Sequence, residues 1–158
     1  MGHEKDAEVF SEQELYPYLS SYISDSFHKE TWAIHHFSRD SNRFAAVASL
    51  RTTSPQTNFH LSIFSAREIV TQLRIASSML LLGQSCKTAE VWFIEGSEKC
   101  TSPITSAENI EISLTNSFKK LSKNNNYILG WESQIQGCTG GEFIFKTVVM
   151  IPANELSQ

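Results

Sequence analysis

Glu68 and Gln72 stand four residues apart, a spacing that puts both side chains on one face of a helix. A carboxylate beside an amide can exchange a proton and orient a water or a carbonyl group. If apolar side chains enclose that face, the charged carboxylate is disfavoured and its pKa rises, which suits proton exchange near neutral pH. Glu68 is then a candidate base toward water, or a nucleophile toward a carbonyl carbon, and Gln72 a candidate for orienting substrate or water. The amides at the start of the same helix could stabilise a developing oxyanion. His60, flanked by Phe59 and Leu61, is a candidate partner acid or base. Arg74, in the middle of an apolar stretch, is a candidate phosphate contact.

Each residue also has a plainer reading. A glutamate near a helix start is favoured by the macrodipole alone. His60 borders a strand or loop and fits a structural histidine as well, and Arg74 fits a snorkelling or salt-bridged arginine. His35-His36 on a strand points its rings to opposite faces, so no metal site is expected there. Cys86, Cys100 and Cys138 have no C-x-x-C spacing, which argues against a zinc site and a disulfide framework and fits a reducing cytoplasm. Cys86 and Cys138 lie near glycines but far from any histidine that would activate them. The lysines at 119, 120 and 123 read as a solvated loop, or else as a contact for phosphates or an acidic partner. Gly137 to Gly141 lacks the spacing and the following helix of a phosphate-binding loop.

The elements that must carry these residues follow from periodicity. Ser65 is a candidate cap for a helix over Ala66 to Leu82, apolar on nearly every side and ended by Gly83, which is the pattern of a buried helix. Upstream, Ser11-Glu12-Gln13-Glu14 has capping-box spacing, and Leu15, Leu19, Tyr22, Ile23 and Phe27 form the stripe of an accessory amphipathic helix. Thr31 to Phe37 and Arg43 to Thr52 read as a hairpin turned by residues 38–42, with Ala46 and Ala48 small enough for a helix to approach closely. A loop follows at Ser54 to Asn58. Val91 to Ile94, Ile110 to Thr115, Tyr127 to Gln136 and Phe143 to Ile151 complete an antiparallel meander, the last two joined by the Gly137 to Gly141 turn. The expected class is α+β: residues 1–10 a flexible N-terminus, 11–152 a single domain, and 153–158 a C-terminal tail.

Composition sets the outer limits. The 158 residues are 41% hydrophobic and 19% charged with a formal charge of −4, enough apolar content for one core and no general attraction for nucleic acid. The polar start does not read as a secretory signal, and no apolar run approaches a membrane span. A cytoplasmic protein is expected.

The order helix, hairpin, long helix and meander resembles the hot-dog fold of thioesterases and β-hydroxyacyl dehydratases, in which an antiparallel sheet wraps one long central helix; here an extra N-terminal helix precedes it. The resemblance covers about Thr31 to Pro152 and is sharpest from His60 to Gln72, where Glu68 and Gln72 match the E-x-x-x-Q of hot-dog dehydratases and of the A-factor synthase family. The interval from His60 to Glu68 also matches the A-factor type, while Ser62 and Ile63 stand where proline and glycine normally follow the histidine. Long-chain acyl-CoA thioesterases of the FcoT type look similar through Ala66-Arg67-Glu68 and the closing Ile151-Pro152, although Arg74 stands where they carry an amide. The resemblance implies hydrolysis of a fatty or β-ketoacyl thioester of coenzyme A or an acyl carrier protein. It makes Glu68, His60 and Gln72 catalytic, and Phe64, Ser65 and Arg74 substrate contacts, with no cofactor or metal. It also implies a homodimer or higher homo-oligomer. A non-hydrolytic acyl-binding, condensing or dehydratase protein is the alternative.

Overall fold

The computed structural model describes residues 7–18, 30–52 and 59–157. Among these residues seven strands form one antiparallel sheet: β1 (Glu8–Phe10), β2 (Glu30–Asp40), β3 (Arg43–Thr52), β4 (Trp92–Ser102), β5 (Ile110–Leu121), β6 (Asn126–Gln136) and β7 (Glu142–Pro152), in the spatial order β1-β2-β3-β5-β6-β7-β4. A short helix, α1 (Glu12–Leu15), lies near the N-terminus, and the long helix α2 (Ile63–Leu81) lies between β3 and β4 in sequence.

The capping box forms as its spacing requires. Ser11 N donates to Glu14 Oε2 at 2.7 Å and Glu14 N to Ser11 Oγ at 3.3 Å. Only one α-turn follows before a 3-10 turn at Tyr16–Tyr18; the rest of the expected N-terminal helix, with Leu19, Tyr22, Ile23 and Phe27, lies outside the described residues, as does the loop expected at Ser54 to Asn58. Within the segment expected to be flexible, Glu8–Phe10 pairs with Ser38, Arg39 and Phe37 of β2.

The hairpin is tighter than residues 38–42 suggested. Ser38, Arg39 and Asp40 stay in the ladder and only Ser41 and Asn42 turn, with Ser41 at φ 56°. Asn42 Nδ2 donates to Asn116 O, and Asn116 N donates back to Asn42 O, fixing the hairpin to β5. The register slips between Ile34 and His36, and both His35 and His36 are exposed, with His35 Nε2 2.8 Å from Ser49 Oγ. A β-bulge, not simple alternation, therefore sets their directions.

α2 begins earlier than expected. Ser62 is the N-cap, its Oγ accepting from Ser65 N at 3.0 Å, and Ser65 lies inside the first turn. The backbone is already helical at Ile63, so the cap must precede it. At the other end Gln84 N donates to Met79 O and Gly83 N to Leu80 O, the Schellman pattern, with Gly83 at φ 73° as a left-handed C′ residue requires.

One apolar cluster joins α2 to the inner face of the sheet. Ala66, Ile69, Val70, Leu73, Ala76 and Met79 of the helix meet Phe44, Ile112, Leu114, Leu129, Trp131, Phe145 and Ile151. Burying each large side chain of this kind contributes about 1.5–3 kcal/mol. Phe10, Phe37, Phe44 and Trp131 form an aromatic row across the sheet with successive centroids 5.8, 5.9 and 5.7 Å apart. Ala46 and Ala48 are buried, and the small Ser133 of β6 faces the helix as well, within hydrogen-bond distance of Arg74.

Two further strands run well beyond their expected ends. β5 continues through Phe118-Lys119-Lys120-Leu121, paired with Gly130 to Tyr127, so most of the expected lysine loop is strand. A bulge between Asn116 and Phe118 carries it off the core, and Asn116 Nδ2 satisfies both Phe118 O and Gly130 O at 2.9 Å. β4, expected to end at Ile94, pairs with β7 as far as Ser102 and is exposed along its whole length. An uncovered edge strand has no buried face to impose a period of two.

Candidate active site

The stretch of α2 from Arg67 to Arg74 carries polar side chains on two adjoining faces. Glu68 and Gln72 share one of them; Glu68 is half-buried and Gln72 only 7% exposed. Arg67, Thr71 and Arg74, at i, i+4 and i+7, share the other and line a cleft of about 610 Å³ between the helix, β4 and β7. That volume is within the range of small-ligand sites, roughly 300–1,000 Å³. Glu68, Gln72, His60, Phe64 and Ser65 are not among the residues lining this cleft.

Across the cleft, Arg67 and Glu98 form a two-pronged ion pair, Nε to Oε1 at 2.6 Å and Nη2 to Oε2 at 2.8 Å. The hydrogen bonds that Arg67 donates to Glu98 hold its guanidinium above its ordinary pKa. The pair ties the helix to the edge strand at the partly open rim. Gly96 lies beside it, where a Cβ would fall 2.8 Å from the Phe93 ring and 2.9 Å from Lys146 O. Only a glycine lets β4 run this close to β7 and leaves the wall of the cleft open.

Arg74 lies deeper, 5% exposed. Its Nε donates to Ser133 Oγ at 3.2 Å, its guanidinium stands 5.7 Å from the centroid of the Phe145 ring, and Nη2 has no hydrogen-bond partner among the described residues. Desolvation lowers its pKa to about 10, partly offset by Glu98, so the group is still cationic at neutral pH.

The other expected site residues are placed differently. His60 is exposed, two positions before the Ser62 cap, on a segment held by Leu61 N donating to Ile104 O at 2.9 Å. Phe64 is 68% exposed with Arg67 5.8 Å from its ring centroid. Ser65 is buried, its Oγ 2.8 Å from Ser62 Oγ. Two amides at the helix start are already engaged, Ser65 N by Ser62 Oγ and Ala66 N by Ser62 O. Arg67, Thr71, Gly96 and Glu98 were not singled out from sequence. The i, i+4, i+7 polar stripe was available as a signal for the first two, whereas Gly96 and Glu98 belong to the strand whose extent the pattern concealed.

No known protein family and no curated protein matches the sequence. Solved structures do match. AziG of S. sahachiroi superposes with a TM-score of 0.59 over 85% of this chain and 98% of its own, at 14% identity. A hypothetical thioesterase from Streptococcus pneumoniae TIGR4, solved with coenzyme A, gives 0.54 over 77% and 85% at 6% identity. A thioesterase from Haemophilus influenzae gives 0.51 over 76% and 77% at 13% identity. The fold is the hot-dog fold. In this hot-dog domain the central helix is α2 and the sheet runs from the β1 edge to the β4 edge, so the cleft lies where the helix meets the β4 side. Among the described residues no helix is long and apolar enough to cross a membrane.

Proposed function

We propose that this hot-dog domain processes acyl thioesters, hydrolysing a fatty or β-ketoacyl thioester of coenzyme A or an acyl carrier protein. The observation that carries the reading is the half-buried Glu68 one turn before the buried Gln72, on the central helix of a fold shared with thioesterase structures, one of them holding coenzyme A. Glu68 takes a proton from a water as its oxygen attacks the thioester carbonyl carbon. The tetrahedral intermediate collapses with cleavage of the C–S bond, and the proton passes to the departing thiolate. Direct attack by Glu68 gives an acyl anhydride that water then opens, with the same products. Gln72 orients the water or the carbonyl.

The β4 edge, with Trp92, Phe93 and Ile94 exposed, supports a homodimer in which a second copy continues the sheet. The test of the reading is thiol release from a panel of acyl-coenzyme A and acyl-carrier-protein thioesters. The Glu68→Ala variant is expected to lose about 100-fold or more of the wild-type rate. Equal rates in the two proteins overturn the assignment.

A further inference from the structure

We propose that Arg74 is the binding site for a carboxylate carried on the acyl chain, so that the substrate is an acyl thioester with a second, acidic end. The inference rests on the thioester reading above and adds the chemistry of the chain. Three observations carry it. Arg74 is more than nine-tenths buried yet lines the 610 Å³ cleft. Among the described residues its contacts are neutral, Ser133 Oγ on Nε and the Phe145 ring, and Nη2 has no acceptor. The carboxylate nearest in role, Glu98, is held by both prongs of Arg67 at the rim.

A buried cation that only partly shares a carboxylate already held by another arginine is costly, and the cheapest remedy is an anion from outside. A planar carboxylate fits a guanidinium fork side by side, two N–H donors to two oxygens. The cleft is graded to match such a ligand. Its rim is a self-neutralised ion pair, its walls include Phe93 and Phe145, and its floor holds the unneutralised charge. A plain alkyl end would leave Arg74 unsatisfied, and a doubly charged phosphate costs more to desolvate at an aromatic-walled floor than a singly charged carboxylate.

The test is affinity by calorimetry, using the full chain with Glu68→Gln so that turnover does not interfere. The ligands are matched pairs, adipoyl- against hexanoyl-coenzyme A and sebacoyl- against decanoyl-coenzyme A, with coenzyme A alone as reference. The expected result is that at least one carboxylated ligand binds about tenfold or more tighter than its plain partner, and that Arg74→Met removes the difference. Arg74→Lys, which keeps the charge and loses the fork, should retain only part of it and serves if Arg74→Met does not fold. Equal affinities within every pair overturn the proposal. So does an Arg74→Met loss that is the same for both members and for coenzyme A alone, which assigns Arg74 to the carrier phosphates. A protein that discriminates but releases no thiol keeps the carboxylate site and loses the hydrolytic reading; one that hydrolyses without discriminating does the reverse.

Discussion

Arg74 shows how a single side chain can be at odds with the core around it. It stays charged at neutral pH, with its pKa lowered only to about 10, yet its described contacts are a serine hydroxyl and an aromatic ring. Replacing such a group by an apolar side chain of similar length removes a desolvation cost and strands only Ser133 Oγ. Arg74→Met is therefore expected to be neutral or stabilising by about 1–2 kcal/mol in ligand-free denaturant unfolding. A loss beyond about 2 kcal/mol shows that the arginine is a structural keystone instead. The sign of the pH effect follows from linkage. Because the folded-state pKa is the lower one, the penalty is constant wherever both states are protonated and is relieved only as pH rises through about 10. The difference between wild type and Arg74→Met should thus be flat from pH 5 to pH 8. At this scale the sequence was partly legible: Glu68, Gln72 and Arg74 stood out by type and spacing. That Arg67 is neutralised and Arg74 is not depends on Glu98, 31 positions from Arg67, and no local pattern contains that distance.

The helix that carries these groups is positioned by its ends. Ser62 Oγ accepts the Ser65 amide, and the Schellman turn at Gly83 closes the other end. Ser62→Ala is expected to cost about 0.5–2 kcal/mol in chemical denaturation, more than Ser65→Ala, which leaves the capping hydroxyl in place. A larger loss at Ser65 would return the cap to the later position that the serine and the following apolar run had suggested. The cap was misplaced because Ser62 and Ser65 are the same residue type, and only the helical backbone at Ile63 separates them. β6 and β7 were read nearly to the residue because they lie in the middle of the sheet with one face on the core, so burial stamps alternation on them. β4 and the end of β5 have no buried face, and polar runs such as Glu95-Gly96-Ser97-Glu98 look like loop.

At the scale of the molecule, the two edges of the sheet are managed differently. The β1 edge is a strand of three residues, whereas β4 is an edge of eleven residues that presents Trp92, Phe93 and Ile94 to solvent. A long edge that has no further partner among the described residues and begins with three apolar side chains invites pairing with another strand. Trp92→Lys with Ile94→Lys is expected to convert a dimer to a monomer in light scattering while leaving the far-ultraviolet circular dichroism unchanged. A wild-type chain that is monomeric at high concentration rules out the edge-to-edge arrangement.

The sequence by itself determined the class of the fold, the presence of one buried helix bearing a carboxylate, an amide and an arginine, and the central strands, because each of these is written in short-range periodicity that burial enforces. The tertiary structure decided which of those groups share a cleft. β4 returns beside β7 and brings Glu98 to Arg67, while β6 and β7 place Ser133 and Phe145 around Arg74, 59 and 71 positions away in the chain. Contacts of that length are fixed by strand order and register, which arise from the packing of the whole core and leave no mark on any one segment.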